Sequence, residues 1–415
     1  MNHIFRILAF LFLSLSITAQ NESNSPYSRF GLGDVQIFSS ATQSAMGGVS
    51  IASYDPFSIN VSNPASYSSV FAQRFTMQTG GIHTTKILET SIQNQVVNST
   101  NFNYLMFSFP LTKFLGTSIG ILPFSEMSYS FSDINPTPYA DLLFEGNGGL
   151  TRVYFGNSIS FNKNLSLGAN INYVFGNLNS SRKIYFNDEN IFNTKINEDI
   201  NLNGFSFDFG MIYKFKIGRW YSVLGLTFDN GNEISAEKTS LIETFRSGGE
   251  FDLIEDTINY DKLLGGVLEL PSSVGYGLNL GNDHWKIMID YRNNNWKEYK
   301  LFGINDDLEN STRLSLGFEY VPDKKSINKY YKMIRYRFGL YNSETYLNLR
   351  NQQLDEKVVS FGFGLPLKRS GSLLNLSAEL GQMGTTNNGL IKESFARFKI
   401  GFIFSDIWFT KRKYD

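Results

Sequence analysis

The chain has no cysteine among its 415 residues. Disulfides, thiolate metal sites and cysteine nucleophiles are therefore excluded. Histidine is almost as rare, with 3 in all. Beyond His3, near the start, only His83 and His284 occur. Neither sits in a motif with a serine that a base would activate, so no enzyme is expected. The net formal charge is −1, which leaves no basic footprint for nucleic acid. No metal-ligand cluster stands out. The run "INDDLEN" at 304–310 reads as a solvated loop rather than a Ca²⁺ site. Neither cofactor nor metal is expected. Proline is scarce, at 10.

Aromatics, by contrast, are abundant, with 37 Phe and 22 Tyr, and glycine reaches 36. A soluble protein with that many aromatic rings would need a very large core. A barrel with lipid outside and water inside produces this mixture directly. No linker divides the chain, so one domain is expected after a leader.

The leader is "MNHIFRILAFLFLSLSITAQ". His3 and Arg6 precede an apolar run from Ile7 to Leu15, and Ala19 is small. That is the pattern of a secretory signal peptide, too short to span a membrane comfortably. Residues 1–19 are expected to be cleaved, leaving Gln20 first. No cysteine follows the run, which excludes a lipid-anchored start.

Strict alternation recurs along the rest. In "FSFDFGMIYKFKI", Phe205, Phe207, Phe209, Met211, Tyr213, Phe215 and Ile217 oppose Ser206, Asp208, Gly210, Lys214 and Lys216. "LSLGANINYVFGN" from Leu165 and "RLSLGFEY" from Arg313 repeat the pattern. Period two with an apolar face marks a half-buried strand. Such segments predict about fourteen strands, starting near Val70, Asn101, Gly116, Leu150, Leu165, Asn203, Tyr221, Ser272, His284, Thr312, Lys332, Lys357, Leu373 and Ser394. An even count suits a bacterial outer-membrane barrel. Short turns follow the second, fourth, sixth and eighth strands. Residues 179–201 and 230–270 read as long loops after the fifth and seventh. Short turns face the periplasm and long loops the outside, so both termini are expected to be periplasmic. The stretch 322–331 is long for its side.

Residues 20–69 do not alternate and are rich in Gly, Ser and Ala, which permit tight turns and close backbone approach. "SSATQSAMGG" is compatible with a short helix ended by Gly47. Asn63, Pro64 and Ala65 read as a hinge between this segment and the barrel. Pro64 pushes Asn63 to an extended conformation. The Asn63 amide is available to unpaired backbone groups. The fold class expected is thus a transmembrane antiparallel β-barrel of about 14 strands with an N-terminal hatch (20–69) plugging the lumen of the barrel (70–405).

The quoted runs "GLGD", "SAMGG" and "NPAS" at 63–66, "LPSSVGYGL" at 270–278 and "DYRNNNWKEY" at 290–299 carry a further reading. With "YRFGLY" and "VSFGFGLP", they resemble the FadL/TodX family of outer-membrane transport proteins, in the form common in Bacteroidota. The resemblance implies a monomeric barrel whose hatch includes Arg29, Phe30, Gly31, Gly33, Gly47 and Gly48. It also implies diffusion of hydrophobic compounds, such as long-chain fatty acids, through an opening in the wall. Pro123 sits within the third predicted strand, where it removes a ladder donor and demands a bulge or kink. Family members use a kink there as a lateral gate, which makes Gly120, Pro123 and Glu126 gate candidates. An ordinary barrel bulge is the other reading.

Two features depart from the transporter pattern. The chain does not stop at its closing strand but continues into a tail, 406–415, bearing Trp408, Phe409, Lys411, Arg412 and Lys413. The tail reads as a solvated extension with an interfacial aromatic anchor, or as a docking peptide for a periplasmic or membrane partner. The predicted inward charges Arg313, Glu319, Arg335, Arg337, Glu379, Arg397 and Lys399 are placed to hold a hatch permanently. Two functions stay open: passive diffusion of a hydrophobic ligand, or a structural or accessory subunit of a larger outer-membrane complex for barrel assembly or secretion. Outer-membrane lipid is a partner under both.

Overall fold

The computed structural model describes residues 25–69, 74–137, 139–188, 190–247, 252–326, 328–367 and 371–407. The leader, Gln20, Val70 and the tail residues Trp408, Phe409, Lys411, Arg412 and Lys413 lie outside the described residues.

Fourteen antiparallel strands close into a barrel. They are β1 (Arg74–Glu89), β2 (Asn94–Pro110), β3 (Leu115–Thr137), β4 (Ala140–Ser160), β5 (Leu165–Phe186) and β6 (Asn193–Ile217). Next come β7 (Trp220–Asp229 and Glu233–Ser247), β8 (Asp252–Glu269 and Ser273–Gly281), β9 (Trp285–Asn294) and β10 (Ser311–Tyr320). The last four are β11 (Arg335–Leu349), β12 (Gln352–Pro366), β13 (Leu373–Met383) and β14 (Lys392–Ile407). β7 and β8 are each interrupted once. Gly231 turns at φ +58° in the first break, and Pro271, with no N–H to give, sits in the second. β14 pairs with β1 from Lys392–Glu89 to Ile407–Arg74, and this seam closes the ring. β14 runs to Ile407, two residues into the stretch expected to be tail.

The apolar side of each alternating strand faces outwards. Phe155, Ile171, Tyr173, Phe175, Phe205, Phe209, Leu224, Phe228, Phe361 and Phe398 are all exposed. This belt has a sharp upper limit. Asn177 is the outward residue after Phe175, and Asn201 and Asn203 precede Phe205. Outward apolar side chains with an Asn border are the mark of a lipid-facing band.

The strands differ greatly in length. β6 has 25 residues and β10 has 10. Nine to eleven tilted residues suffice to cross a bilayer. At about 3.3 Å per residue, β6 is roughly 50 Å longer than β10. β3 to β8 share this excess and rise past the belt as a tall half-wall, at the end opposite the seam's Arg74 and Ile407.

This half-wall corrects the expected loops. Residues 179–201 and 230–270 are mostly strand, joined across short turns. For the same reason β2, β4, β6 and β8 start at Asn94, Ala140, Asn193 and Asp252, well before the expected Asn101, Leu150, Asn203 and Ser272. Beyond the lipid neither face needs to be apolar, so the period-two signal fades while the ladder continues. The connection after β10 runs through a 3₁₀ turn at Tyr330–Lys332.

Short turns gather at one end of the barrel and tall strands at the other, which sets the expected orientation. Single cysteines at Asn187, by the tall end, and Asn164, by the short-turn end, test it on whole cells. An impermeant thiol reagent is expected to label position 187 and to spare 164. The reverse pattern would invert the molecule.

Candidate functional site

The N-terminal segment packs against the inward faces of the strands. Glycine makes this possible. A Cβ added at Gly156, Gly168, Gly210, Gly225, Gly317 or Gly339 would come within 3.0 Å of atoms of Tyr67, Pro64, Asn63, Ile51, Met46 and Gly47, respectively. These glycines lie on β4, β5, β6, β7, β10 and β11, so they form a girdle around much of the wall. The segment's backbone rests directly on it at Gly168, Gly225, Gly317 and Gly339, and the Tyr67 ring and Asn63 amide do so at Gly156 and Gly210.

Polar contacts fix the register. Asp290 accepts hydrogen bonds from the backbone N–H of Ser50 at 2.5 Å and of Ile51 at 2.8 Å. The Gly47 N–H donates to Ser360 Oγ at 2.9 Å, and Arg313 donates to the Gly47 carbonyl at 3.3 Å. Gly47 and Gly48 have φ of +69° and +78°, where L side chains are strained. They follow a one-turn helix, Ala41–Ser44, shorter than the stretch from which it was expected, whose Gln43 side chain reaches back to accept from the Ser40 backbone N–H at 2.9 Å.

The expected hinge residues are fully enclosed. Asn63 donates to the carbonyls of Ile51 at 2.7 Å, Met211 at 3.2 Å and Leu226 at 3.4 Å, and its Oδ1 accepts from the Ala65 N–H at 3.1 Å. One amide thus ties two turns of the segment to β6 and β7. Pro64 opens the 3₁₀ turn Pro64–Ser69, a position where its missing N–H costs nothing. Tyr67 then reaches Asn170 at 2.8 Å.

Asp55 adds an ionic link, a pair with Arg335 at 2.9 Å. Burial alone would raise its carboxyl, but Arg335 and then Lys286 overcome this and hold it below its ordinary value of 3.8. Glu319 ties the same group of charges together, bonding Lys286 at 3.3 Å and Arg337 at 2.8 Å.

The wall parts between β2 and β3. These strands pair only from Leu105–Ile121 to Pro110–Gly116. Above that point β3 bends at a bulge, where Pro123 and Ser125 oppose successive residues of β4. From Phe124 to Ser128 the freed edge of β3 is taken by the N-terminal segment. Asp34 and Val35 pair with Glu126 and Ser125, the Gln36 N–H donates to Phe124 O at 3.1 Å, and the Ser25 N–H donates to Ser128 O at 3.0 Å. Across the gap, Asn101 of β2 meets Glu126 at 3.4 Å. Gly120, Pro123 and Glu126 therefore flank the parting. Gly120 lies on its zipped side, under the Tyr154 ring.

Behind the gap is a cavity of about 220 Å³. Its lining mixes charged groups (Asp34, Lys86, Glu126, Arg313, Glu356, Glu379, Glu393, Arg397 and Lys399) with apolar ones such as Ile37, Trp296, Leu347 and Phe395. Most of the charged groups are paired. Lys86 meets Glu393 at 3.4 Å and Arg397 meets Glu356 at 3.2 Å. Lys399 lies 3.9 Å from Glu379 and donates to Ser44 Oγ at 2.6 Å. Of the remaining expected hatch residues, Arg29 stacks over Phe144 at 4.7 Å and Phe30 packs in the adjoining apolar cluster. Gly31 donates to Asp306 at 3.2 Å, and Gly33 presses on the Glu126 backbone. Sequence reasoning missed Asn101, Asp290, Lys86 and Glu393. The last two lie near the tall ends of their strands, where alternation no longer marks an inward face.

A family model described as BamG matches residues 1–415, the whole chain. The chain belongs to the BamG family. No curated protein matches it. This BamG-family barrel is similar to solved structures of the CymD monoaromatic hydrocarbon channel, at TM-score 0.60 and 14% identity, covering 91% of this chain and 99% of that one. It is also similar to a Pseudomonas aeruginosa FadL homologue, at 0.60 and 12%, covering 90% and 98%. The P. putida toluene transporter TodX aligns at 0.59 and 15%, covering 90% and 99%. At such identities the likeness is one of fold. The resemblance read from the sequence thus holds for the barrel architecture, while the family is BamG.

Replacing Asn63 by Leu strands the carbonyls it serves. The expected cost is about 1–3 kcal/mol, felt locally. Limited proteolysis should then cut the N-terminal segment faster while the barrel stays folded. Wild-type resistance in the variant would remove Asn63 from the docking account.

Acid should loosen the same segment through Asp55. Its folded pKa lies below the unfolded value, so its contribution is present above about pH 4 and is lost as pH falls through the folded pKa. Protease sensitivity of residues 25–69 is expected to rise in that acid range. Asp55→Asn should show the raised sensitivity already at neutral pH and lose this part of the pH response.

Proposed function

We propose that this BamG-family chain is a non-conducting structural subunit of a larger outer-membrane complex of the barrel-assembly type. Residues 20–69 act as a fixed hatch, with Asn63, Pro64 and Ala65 as its anchoring hinge, and both termini face the periplasm. The observation that carries this reading is the ionic lumen. A hydrocarbon entering through the wall would have to part buried charge pairs such as Lys86–Glu393 and offer no hydrogen bond in return, which is costly. The glycine girdle supports the same reading, because a segment seated backbone-to-wall leaves little room to move aside. BamG membership favours the assembly form of the proposal. The tail with Trp408, Phe409, Lys411, Arg412 and Lys413 is a candidate contact for periplasmic partners.

The parting of β2 from β3 favours a second reading, diffusion of a hydrophobic compound such as a long-chain fatty acid through a gate at Pro123. Purification from native membranes separates the two. The structural reading expects stoichiometric protein partners and no bound apolar ligand. Recovery of the chain alone with a hydrophobic compound in the lumen would establish the second. In planar bilayers the intact chain is expected to be silent, and deletion of residues 25–60 to open a pore. Equal conductance of the two, with the deletion variant shown to be folded, would sink the hatch.

A further inference from the structure

The tall half-wall has two free edges, and the chain treats them differently. On the β3 side, backbone hydrogen bonds from Ser25 and from Asp34–Gln36 cover the edge between Phe124 and Ser128. On the β8 side the edge is bare. The distal part of β8, Asp252–Glu269, pairs with β7 along its length. On its other side only Leu268 and Glu269 pair, with Leu301 and Lys300, and the Phe302 N–H reaches Val267 O at 3.0 Å. Among the described residues no strand meets Asp252–Gly266 there.

This bare edge lies outside the lipid band. β9 ends at Asn294, opposite Ser273, and everything before Ser273 in β8 stands above that level. Yet Leu253, Ile254, Ile258, Tyr260, Leu263 and Leu264 are 48% to 62% exposed. An open edge carrying exposed apolar side chains in water invites strand pairing, and proteins rarely leave one uncovered. We propose that another protein of the same complex adds an extended segment to this edge as a further strand. The inference rests on the structural-subunit reading and names its contact surface.

The occupant is not a second copy of this chain. Two copies in one membrane, related by a two-fold axis along the membrane normal, would bring their β8 edges together parallel. Symmetric pairing of two identical edges needs antiparallel strands, because a parallel ladder is offset and sets the partners on unlike terms. The edge is also selective. Register shifts leave Glu255, Ile258 and the Leu264–Gly265 pair as extra residues, and such bulges discourage indiscriminate pairing. Its chemistry describes the partner. Asp252 is held by Lys183 at 2.8 Å and Glu255 by Arg246 at 3.2 Å, whereas Asp256 and Asp261 have no ion pair among the described residues. An extended segment with apolar alternation and a basic residue fits.

Hydrogen–deuterium exchange on the full chain in native membrane vesicles, and on the purified chain, reads strand addition directly. Amides of Asp252–Gly266 should exchange about tenfold more slowly or better in the vesicles. A photo-crosslinking residue at Ile258 should give one adduct with a different protein, and one at Phe205 on the lipid face should not. Ile258→Lys with Tyr260→Lys should abolish the protection while β7–β8 pairing, read from β7 amides, persists. An adduct between two copies of this chain overturns the inference, and so does equal exchange in both preparations. If partners co-purify while β8 stays unprotected, this edge assignment fails and the subunit reading stands. Recovery of the chain without partners overturns both.

Discussion

The close seating of the N-terminal segment on a glycine-lined wall is the contact on which the rest of the molecule depends. A chain without regular secondary structure carries donors and acceptors that must find partners when buried. Here they find them in wall side chains such as Asp290, Ser360 and Arg313, which reach the backbone only because nearby wall positions lack a side chain. Enlarging Gly168, Gly225, Gly317 or Gly339 would displace the segment's backbone, and at Gly156 or Gly210 it would displace the enclosed Tyr67 ring or the Asn63 amide; overpacking of that kind is costly.

The barrel separates its chemistries across one sheet. Apolar side chains, many of them aromatic, occupy the outer face within the lipid band, and the buried ion pairs lie on the inner. The inner charges stabilise one another only while their geometry holds, since removing one partner leaves a buried charge uncompensated. The Lys286–Glu319–Arg337 cluster with Asp55 and Arg335 is therefore a rigid element that ties the N-terminal segment to the wall. The fold shared with hydrocarbon channels and the lumen found here are thus separable properties.

The sequence displayed the lipid band plainly and the rest only in part. Leu165–Phe175 and Phe205–Ile217 announce strands because lipid on one side and water on the other impose period two. Lys183, Asn197 or Glu255 carry no such signal, because water or protein bounds both their faces, and the strands there read as loops. Pro123 marked the bulge in β3 through its missing donor. The parting of β2 from β3 was not legible, since it depends on which edge the distant Asp34 and Val35 occupy. Asn63 was legible as a buried amide beside a proline, but its partners on β6 and β7 belong to the closed ring and not to its own neighbourhood.

The seam between β14 and β1 joins the two ends of the ring, and the segment that precedes β1 is seated on strands reaching round to β14. This geometry constrains the order of events during biogenesis. The hairpins from β3 to β8 need only local contacts, whereas the seam must bring together the most distant parts of the chain and bears the largest loop-closure entropy. Once the ring is shut, the fit around Asn63, Ile51 and Gly47 leaves no clearance for threading some forty residues through either mouth. The core must therefore be in place before the last pair of strands zips. The seam then zips over a lumen that is already filled, and the last two strands to meet are the lid on a finished interior.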